Sequence, residues 1–130
     1  MKKLIIHTDG ASRGNPGQAA IGAIIRDERG GLVASISQSI GRATNNQAEY
    51  RAIIAALEEA LPLDAEEVEL NSDSELVVKQ IKGQYRVRKE TLRPLYQRAK
   101  KLQSKLNKFK IKHIPRQQNR EADKLANMVL

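Results

Sequence analysis

Residues 4–17 read LIIHTDGASRGNPG, an apolar strand that runs into an aspartate and then into a glycine-rich turn. Leu4, Ile5 and Ile6 form a short continuous apolar run, the pattern of a strand buried on both faces in the middle of a covered sheet. Asp9 ends that run. A carboxylate there leaves water at considerable cost unless a positive group compensates, and no Lys or Arg lies between Lys3 and Arg13 to do so locally. The compensating charge comes from elsewhere in the chain or from a bound cation. Gly10, Gly14 and Gly17, with Asn15 and Pro16, are expected to supply the positive φ angles and tight turns that let a backbone approach a ligand closely. The competing reading at this point is an ordinary hairpin with Asp9 as a turn residue.

Working outward, the 130 residues suffice for a single domain, 1–130, with its own core. The chain has no cysteine, which excludes disulfides and thiolate metal sites. No apolar run approaches the length of a membrane helix or of a signal-peptide core, so we expect a soluble, cytoplasmic protein with no membrane partner, monomeric by default. The net charge of +8 is unevenly placed: residues 79–112 hold 13 Lys and Arg against one acid, Glu90, while the rest of the chain is mildly acidic. Blocks of like charge repel one another, and this one points to a polyanion whose phosphates it neutralises; a solvated helix face is the alternative.

The remaining elements follow from periodicity. Residues 19–26 and 32–40 read as a hairpin beside the first strand, giving three antiparallel strands in sequence order. Thr44 to Gln47 is a capping box that opens a helix running to about Ala60, where Pro62 stops it. Glu49 is read as lying in the first turn of that helix and, with Ala52, Ile53, Ala56 and Ala60, on the stripe that faces the sheet. Residues 67–72 form a strand that also ends on a carboxylate, Asp73. A crossover connection makes it parallel to the first strand, which brings Asp9 and Asp73 to one sheet edge. A short helix from Ser74 to about Ile81, a basic loop, a helix from about Thr91 with Pro94 in its first turn, and a lysine-bearing edge strand over 109–114 come next. Asn119 reads as the N-cap of a last helix in which Ala122, Leu125, Ala126 and Val129 pack inward beside Asp123.

Asp9, Glu49, Asp73 and Asp123 thus stand at element ends or inner faces. Clustered without a cation they repel and some must bind protons; divalent cations such as Mg²⁺ resolve the conflict. The stretches TDGASRGNPG, TNNQAEY, NSDSELV and NREADKLAN around these four acids, in this order and covering nearly the whole chain, resemble type 1 ribonuclease H in a short form without its basic protrusion. The resemblance implies an α/β fold: a five-stranded mixed sheet, the first three strands antiparallel and the last two parallel to strand one, flanked by helices. It implies an endonuclease that hydrolyses the RNA strand of RNA/DNA hybrids by a two-metal-ion mechanism, leaving 5′-phosphate and 3′-hydroxyl ends. Two Mg²⁺ ions, with Mn²⁺ as a substitute, would be held by Asp9, Glu49, Asp73 and Asp123. Gly10, Ser12, Gly14, Asn15, Asn45 and Gln47 would contact the hybrid in its minor groove, where 2′-hydroxyls distinguish RNA from DNA. Thr44 and Asn46 match positions that hold a phosphate of the DNA strand.

Two departures from the family pattern shape further expectations. The lysine-rich protrusion is missing and the chain has no Trp, so hybrid binding rests more on Lys79, Lys82, Arg86, Arg88 and Lys89, with Tyr85 as a stacking surface. The histidine loop before the last aspartate is short: HIPRQQN keeps His113 on its strand, and Arg116 is the residue expected to assist catalysis at the phosphate. The alternatives are the same site acting on double-stranded RNA, and a catalytically inactive hybrid-binding module.

Overall fold

The computed structural model describes residues 2–130. In chain order these form β1 (Lys3–Gly14), β2 (Gly17–Asp27), β3 (Leu32–Ala43), α1 (Asn45–Ala60), β4 (Glu67–Ser72), α2 (Glu75–Ile81), α3 (Arg93–Ser104), β5 (Phe109–His113) and α4 (Arg120–Asn127). The strands make one sheet in the order β3-β2-β1-β4-β5. β1 pairs antiparallel with β2 and β2 with β3, whereas β4 runs parallel to β1 and β5 parallel to β4. This is the mixed sheet expected from the sequence.

β1 is longer than its apolar run. Its antiparallel pairing with β2 continues through the glycine-rich stretch to Gly14, opposite Gly17, and because Gly10 and Gly17 sit in that ladder only Gly14 of the three takes the expected positive φ, 94°. The parallel pairing with β4 stops at Thr8, opposite Ser72. Asp9 therefore lies inside the hairpin ladder yet one residue beyond the parallel one, and it ends only half of its strand's pairing. The expectation of a strand buried on both faces also needs correction. Leu4 and Ile6 are 0% exposed beneath α1, but Ile5 and His7, on the opposite face, are half-buried. Only part of that second face is covered, by α4.

The main core lies between the sheet and α1. Leu4, Ile6, Ile25, Val68 and Leu70 meet Tyr50, Ile53, Ala56, Leu57 and Ala60, with Val77 and Ile81 of α2 and Ala99 and Leu102 of α3 closing its side. Each fully buried Ile or Leu contributes about 1.5–3 kcal/mol relative to exposure. On the far face α4 sits directly on β2, because Gly22 has no side chain: a Cβ there would overlap the Ala122 carbonyl oxygen and lie 2.5 Å from the Ala126 nitrogen. Beyond α4 that face is polar, with Lys3 bridging Glu67 and Glu69 at 3.3 Å and Lys112 reaching Glu69 at 3.3 Å.

The helix starts show where local chemistry wins and where it is diverted. The capping box of α1 is complete: Gln47 N donates to Thr44 Oγ1 at 3.1 Å and Thr44 N to Gln47 Oε1 at 2.8 Å. Glu49 is the fifth residue of α1 rather than part of its first turn, which holds no acid. α3 starts at Arg93, later than Thr91, because the Lys89 carbonyl accepts from both Leu92 N and Arg93 N in a tight turn that occupies the preceding residues. α4 ends at Asn127, so Val129 is 44% exposed instead of packed, and Leu125 is half-buried. Among the described residues no helix is long and apolar enough to cross a membrane.

Candidate metal centre and nucleic-acid cleft

Because β1 and β4 are parallel and in register at Thr8 and Ser72, Asp9 and Asp73 leave the same edge of the sheet side by side. α1 brings the third acid down onto them. It approaches β1 closely enough that a Cβ on Gly10 would overlap the Ala48–Glu49 peptide, so only glycine permits this crossing. The Glu49 carboxylate is then gripped from both strands: Gly10 N donates to Oε1 at 2.6 Å and Ser72 Oγ to Oε2 at 3.4 Å. Ser72 is itself oriented by Ser74 N, 3.1 Å away. One carboxylate oxygen from each of Asp9, Glu49 and Asp73 lies within 4.8 Å of the others.

Asp123, half-buried in the first turn of α4, completes the set from the other side. Its Oδ1 accepts from Asn127 Nδ2 at 3.2 Å. All four acids, with Gly10, Ser12, Asn45, Arg116 and Asn127, line an open cleft of about 500 Å³. Arg116 belongs to a short 3-10 turn, Arg116–Gln118, between β5 and α4. His113, by contrast, is the last residue of β5, paired with Ser72 in the ladder and exposed, and it does not line the cleft.

The electrostatics of this cluster are unfavourable as it stands. Burial first, then the charge of Glu49, pushes the Asp9 carboxyl up to about 10. Burial also pushes Glu49 up to about 7, although the Gly10 N–H pulls the other way. At neutral pH Asp9 therefore holds a proton, and Glu49 is close to half-protonated, unless a cation takes the proton's place. Three close oxygen donors, two of them buried, with a fourth carboxylate opposite, match the preference of a hard divalent cation such as Mg²⁺ for a few carboxylates plus water and phosphate oxygens. The residues fit such an ion.

The remaining sequence-predicted residues fall into separate groups. Asn15 Oδ1 accepts from Asn45 N at 2.9 Å, tying the β1–β2 turn to the start of α1. Asn15, Thr44 and Asn46 share a small cavity of about 110 Å³ with Lys89, Thr91 and Leu92. The Ser12 hydroxyl donates to the Gly14 carbonyl, and Gln47 Oε1 is engaged in the cap. Arg86 lies with Tyr85, Arg93 and Tyr96 in a shallow groove, and Arg88 is exposed on the same loop. Lys82 stands apart from these groups, in a groove with Lys100, Lys110 and Lys112 along the free edge of β5. Lys79 is partly committed within the protein, 3.2 Å from Glu75 and over the Tyr85 ring. Sequence reasoning missed Ser72, Asn119 and Asn127 as supports of the acids. A strand-end serine and two helix-terminal asparagines carry no signal of what their side chains will meet.

The reverse transcriptase-like family model matches residues 7–129. Ribonuclease HI of Halobacterium salinarum is 48% identical over 122 residues, covering 94% of this chain and 61% of that protein. The bifunctional protein Rv2228c of Mycobacterium tuberculosis is 44% identical over 126 residues, covering 96% of this chain and 35% of that protein. The chain thus spans less than two-thirds of the first relative's length and about a third of the second's. The solved N-terminal RNase H domain of the mycobacterial protein superposes with a TM-score of 0.93 at 43% identity, covering 97% of each chain. LC11-RNase H1, isolated from compost by a metagenomic approach and solved in complex with an RNA/DNA hybrid, superposes with a TM-score of 0.91 at 42% identity, covering 96% of this chain and 94% of that one.

Proposed function

The chain belongs to the reverse transcriptase-like family of ribonuclease H domains, and on that premise we propose that it is an endonuclease hydrolysing the RNA strand of RNA/DNA hybrids. The observation that carries this reading is the triad of carboxylates within 4.8 Å of one another, faced by Asp123 and Arg116 in one cleft. Two Mg²⁺ ions, or Mn²⁺ in their place, would when bound supply an activated attacking water on one side of a phosphorus and charge stabilisation of the leaving oxygen on the other. The products carry 5′-phosphate and 3′-hydroxyl ends.

The chain's own residues prepare that chemistry. Asp9 together with Glu49 and Asp73 would hold one ion and, with Asp123, the other. Gly10 N–H and Ser72 hold Glu49 in place before substrate arrives, so little reorganisation is needed at the moment of reaction. Arg116, at the rim of the cleft, stabilises negative charge on the phosphate. Ser12, Asn45 and the Gly10 backbone, in the same cleft, face the RNA sugar edge, where contacts to 2′-hydroxyls select RNA. The small cavity of Asn15, Thr44 and Asn46 takes a phosphate of the DNA strand, with Lys89 supplying the positive charge. Arg86 and Arg88 extend the contact with the backbone in a salt-dependent manner. We place this activity in one domain acting as a monomer in the cytoplasm.

The test presents one sequence as RNA/DNA hybrid, double-stranded RNA and double-stranded DNA, with Mg²⁺ or EDTA, to wild type and Asp73→Asn. Metal-dependent cutting of RNA in the hybrid alone, lost in the variant, supports the proposal. Cutting of double-stranded RNA at a comparable rate overturns the hybrid specificity. Binding without cutting in Mg²⁺, and again none when Mn²⁺ replaces it, leaves a hybrid-binding module.

A further inference from the structure

Asn119 is 1% exposed, and its side chain does not do what an asparagine at that position ordinarily does. It stands at the N-cap of α4, where the side-chain oxygen of Asn typically accepts an orphan backbone N–H of the first turn. Here no such bond forms. Instead Nδ2 donates twice, to the Thr8 carbonyl at 2.8 Å and to Asp73 Oδ2 at 3.2 Å. Both acceptors lie on the donor side of the amide, which fixes its orientation. The Asn119 carbonyl meanwhile accepts the Asp123 N–H at 3.1 Å.

Three elements therefore converge on one residue. Thr8 immediately precedes Asp9 on β1, Asp73 follows β4, and Asp123 rides on α4. The cap is forgone and two polar atoms, Asn119 Oδ1 and Thr8 Oγ1, are left buried without partners. A side chain selected for fold stability alone would have capped the helix or been apolar. Donating to a carboxylate that a metal also claims is the arrangement by which outer residues orient a metal's ligands.

We propose that Asn119 is a positioning residue that sets the Asp73 carboxylate, in register with Asp9 and Asp123, for divalent metal. The inference rests on the metal-site reading given above. It is tested first by calorimetric Mg²⁺ titration of wild type, Asn119→Ala, Asp73→Asn and the double variant, on protein held well below its melting temperature. Asn119→Ala weakens Mg²⁺ affinity about 10- to 100-fold. In the Asp73→Asn background the same substitution changes affinity less than about twofold, since the partner through which it acts is gone. In turnover Asn119→Ala lowers kcat, leaves the hybrid KM within about twofold, and recovers part of its rate at high Mg²⁺.

Unchanged Mg²⁺ affinity in folded Asn119→Ala overturns the proposal, as does an equal loss in the Asp73→Asn background. A wild type that binds no Mg²⁺ overturns the metal-site reading instead. A measurement on the unaltered chain covers the case in which Asn119→Ala does not fold. The Asn119 side-chain amide protons exchange slowly with solvent, and their resonances move on addition of Mg²⁺. Solvent-like exchange and resonances indifferent to Mg²⁺ contradict the assignment.

Discussion

Removing the titratable carboxyl at the centre of the site should stabilise the metal-free protein. In Asp9→Asn the amide keeps the shape of the carboxyl and can donate to Glu49 without taking up a proton. Asp9 is raised from 3.8 to about 10, so at pH 7 the folded chain holds a proton that the unfolded chain has released. At about 1.4 kcal/mol per unit over the interval from 3.8 to neutrality, the penalty has a ceiling of about 4 kcal/mol. Water entering the open cleft relaxes part of it, and we expect a net gain of about 2 kcal/mol, or a shift of roughly 1 M in the urea midpoint. A group with a raised folded pKa stabilises fully below its unfolded pKa and loses that contribution as pH rises towards the folded one. In EDTA the wild type therefore weakens steadily from about pH 4 upward, Glu49 adding its share between 4.5 and about 7, while Asp9→Asn weakens less. The gap between the two closes near pH 4. Added Mg²⁺ reverses the order, because it binds the folded wild type and contributes about 2.7 kcal/mol at a hundred times its Kd. Urea titrations in EDTA at pH 4, 7 and 8 decide the matter. A variant no more stable than wild type at pH 7, or a gap independent of pH, refutes the reasoning.

Gly10→Ala pushes a methyl group into the Ala48–Glu49 peptide. We expect about 1–3 kcal/mol of lost stability in urea unfolding and a loss of cleavage exceeding tenfold in the protein that remains folded, and near-wild-type cleavage would contradict the close crossing. Arg116→Ala should lower kcat on hybrid about tenfold or more while His113→Ala leaves kcat and KM within about twofold, because only Arg116 lines the cleft. A larger loss in His113→Ala reverses the assignment. Thr44→Ala removes the capping box of α1 and should cost about 1 kcal/mol, a fall of roughly 4 °C in Tm by calorimetry, and an unchanged Tm would show that Gln47 alone holds the turn.

What could be read from the sequence was whatever depends on local pattern. The capping box at Thr44 and Gln47, the buried stripe of α1 and the crossover that sets β4 parallel to β1 are written in residue order, and they suffice to bring Asp9, Glu49 and Asp73 together. What could not be read depends on contacts between distant segments. The glycines after Asp9 look like a loop, and only the partner strand β2 shows that they continue a ladder to Gly14. Glu49 reads as a dipole-favoured terminal acid until the helix start is fixed one turn away. Asn119 reads as a cap because its neighbours in sequence are helical, and its real partners, Thr8 and Asp73, lie 111 and 46 positions away. Lys82 reads as part of one basic surface with Arg86 and Lys89, yet the turn after α2 sends it to the edge of β5.

On the proposed reading, the four acids hold divalent cations against a scissile phosphate. Its most direct test is anomalous scattering from Mn²⁺ in crystals of the protein bound to an RNA/DNA hybrid with a non-cleavable linkage. We predict two peaks roughly 4 Å apart flanking the Asp9 carboxylate, one also ligated by Glu49 and Asp73 and the other by Asp123. Ordered hybrid in the cleft with no peak within coordinating distance of Asp9 would contradict it.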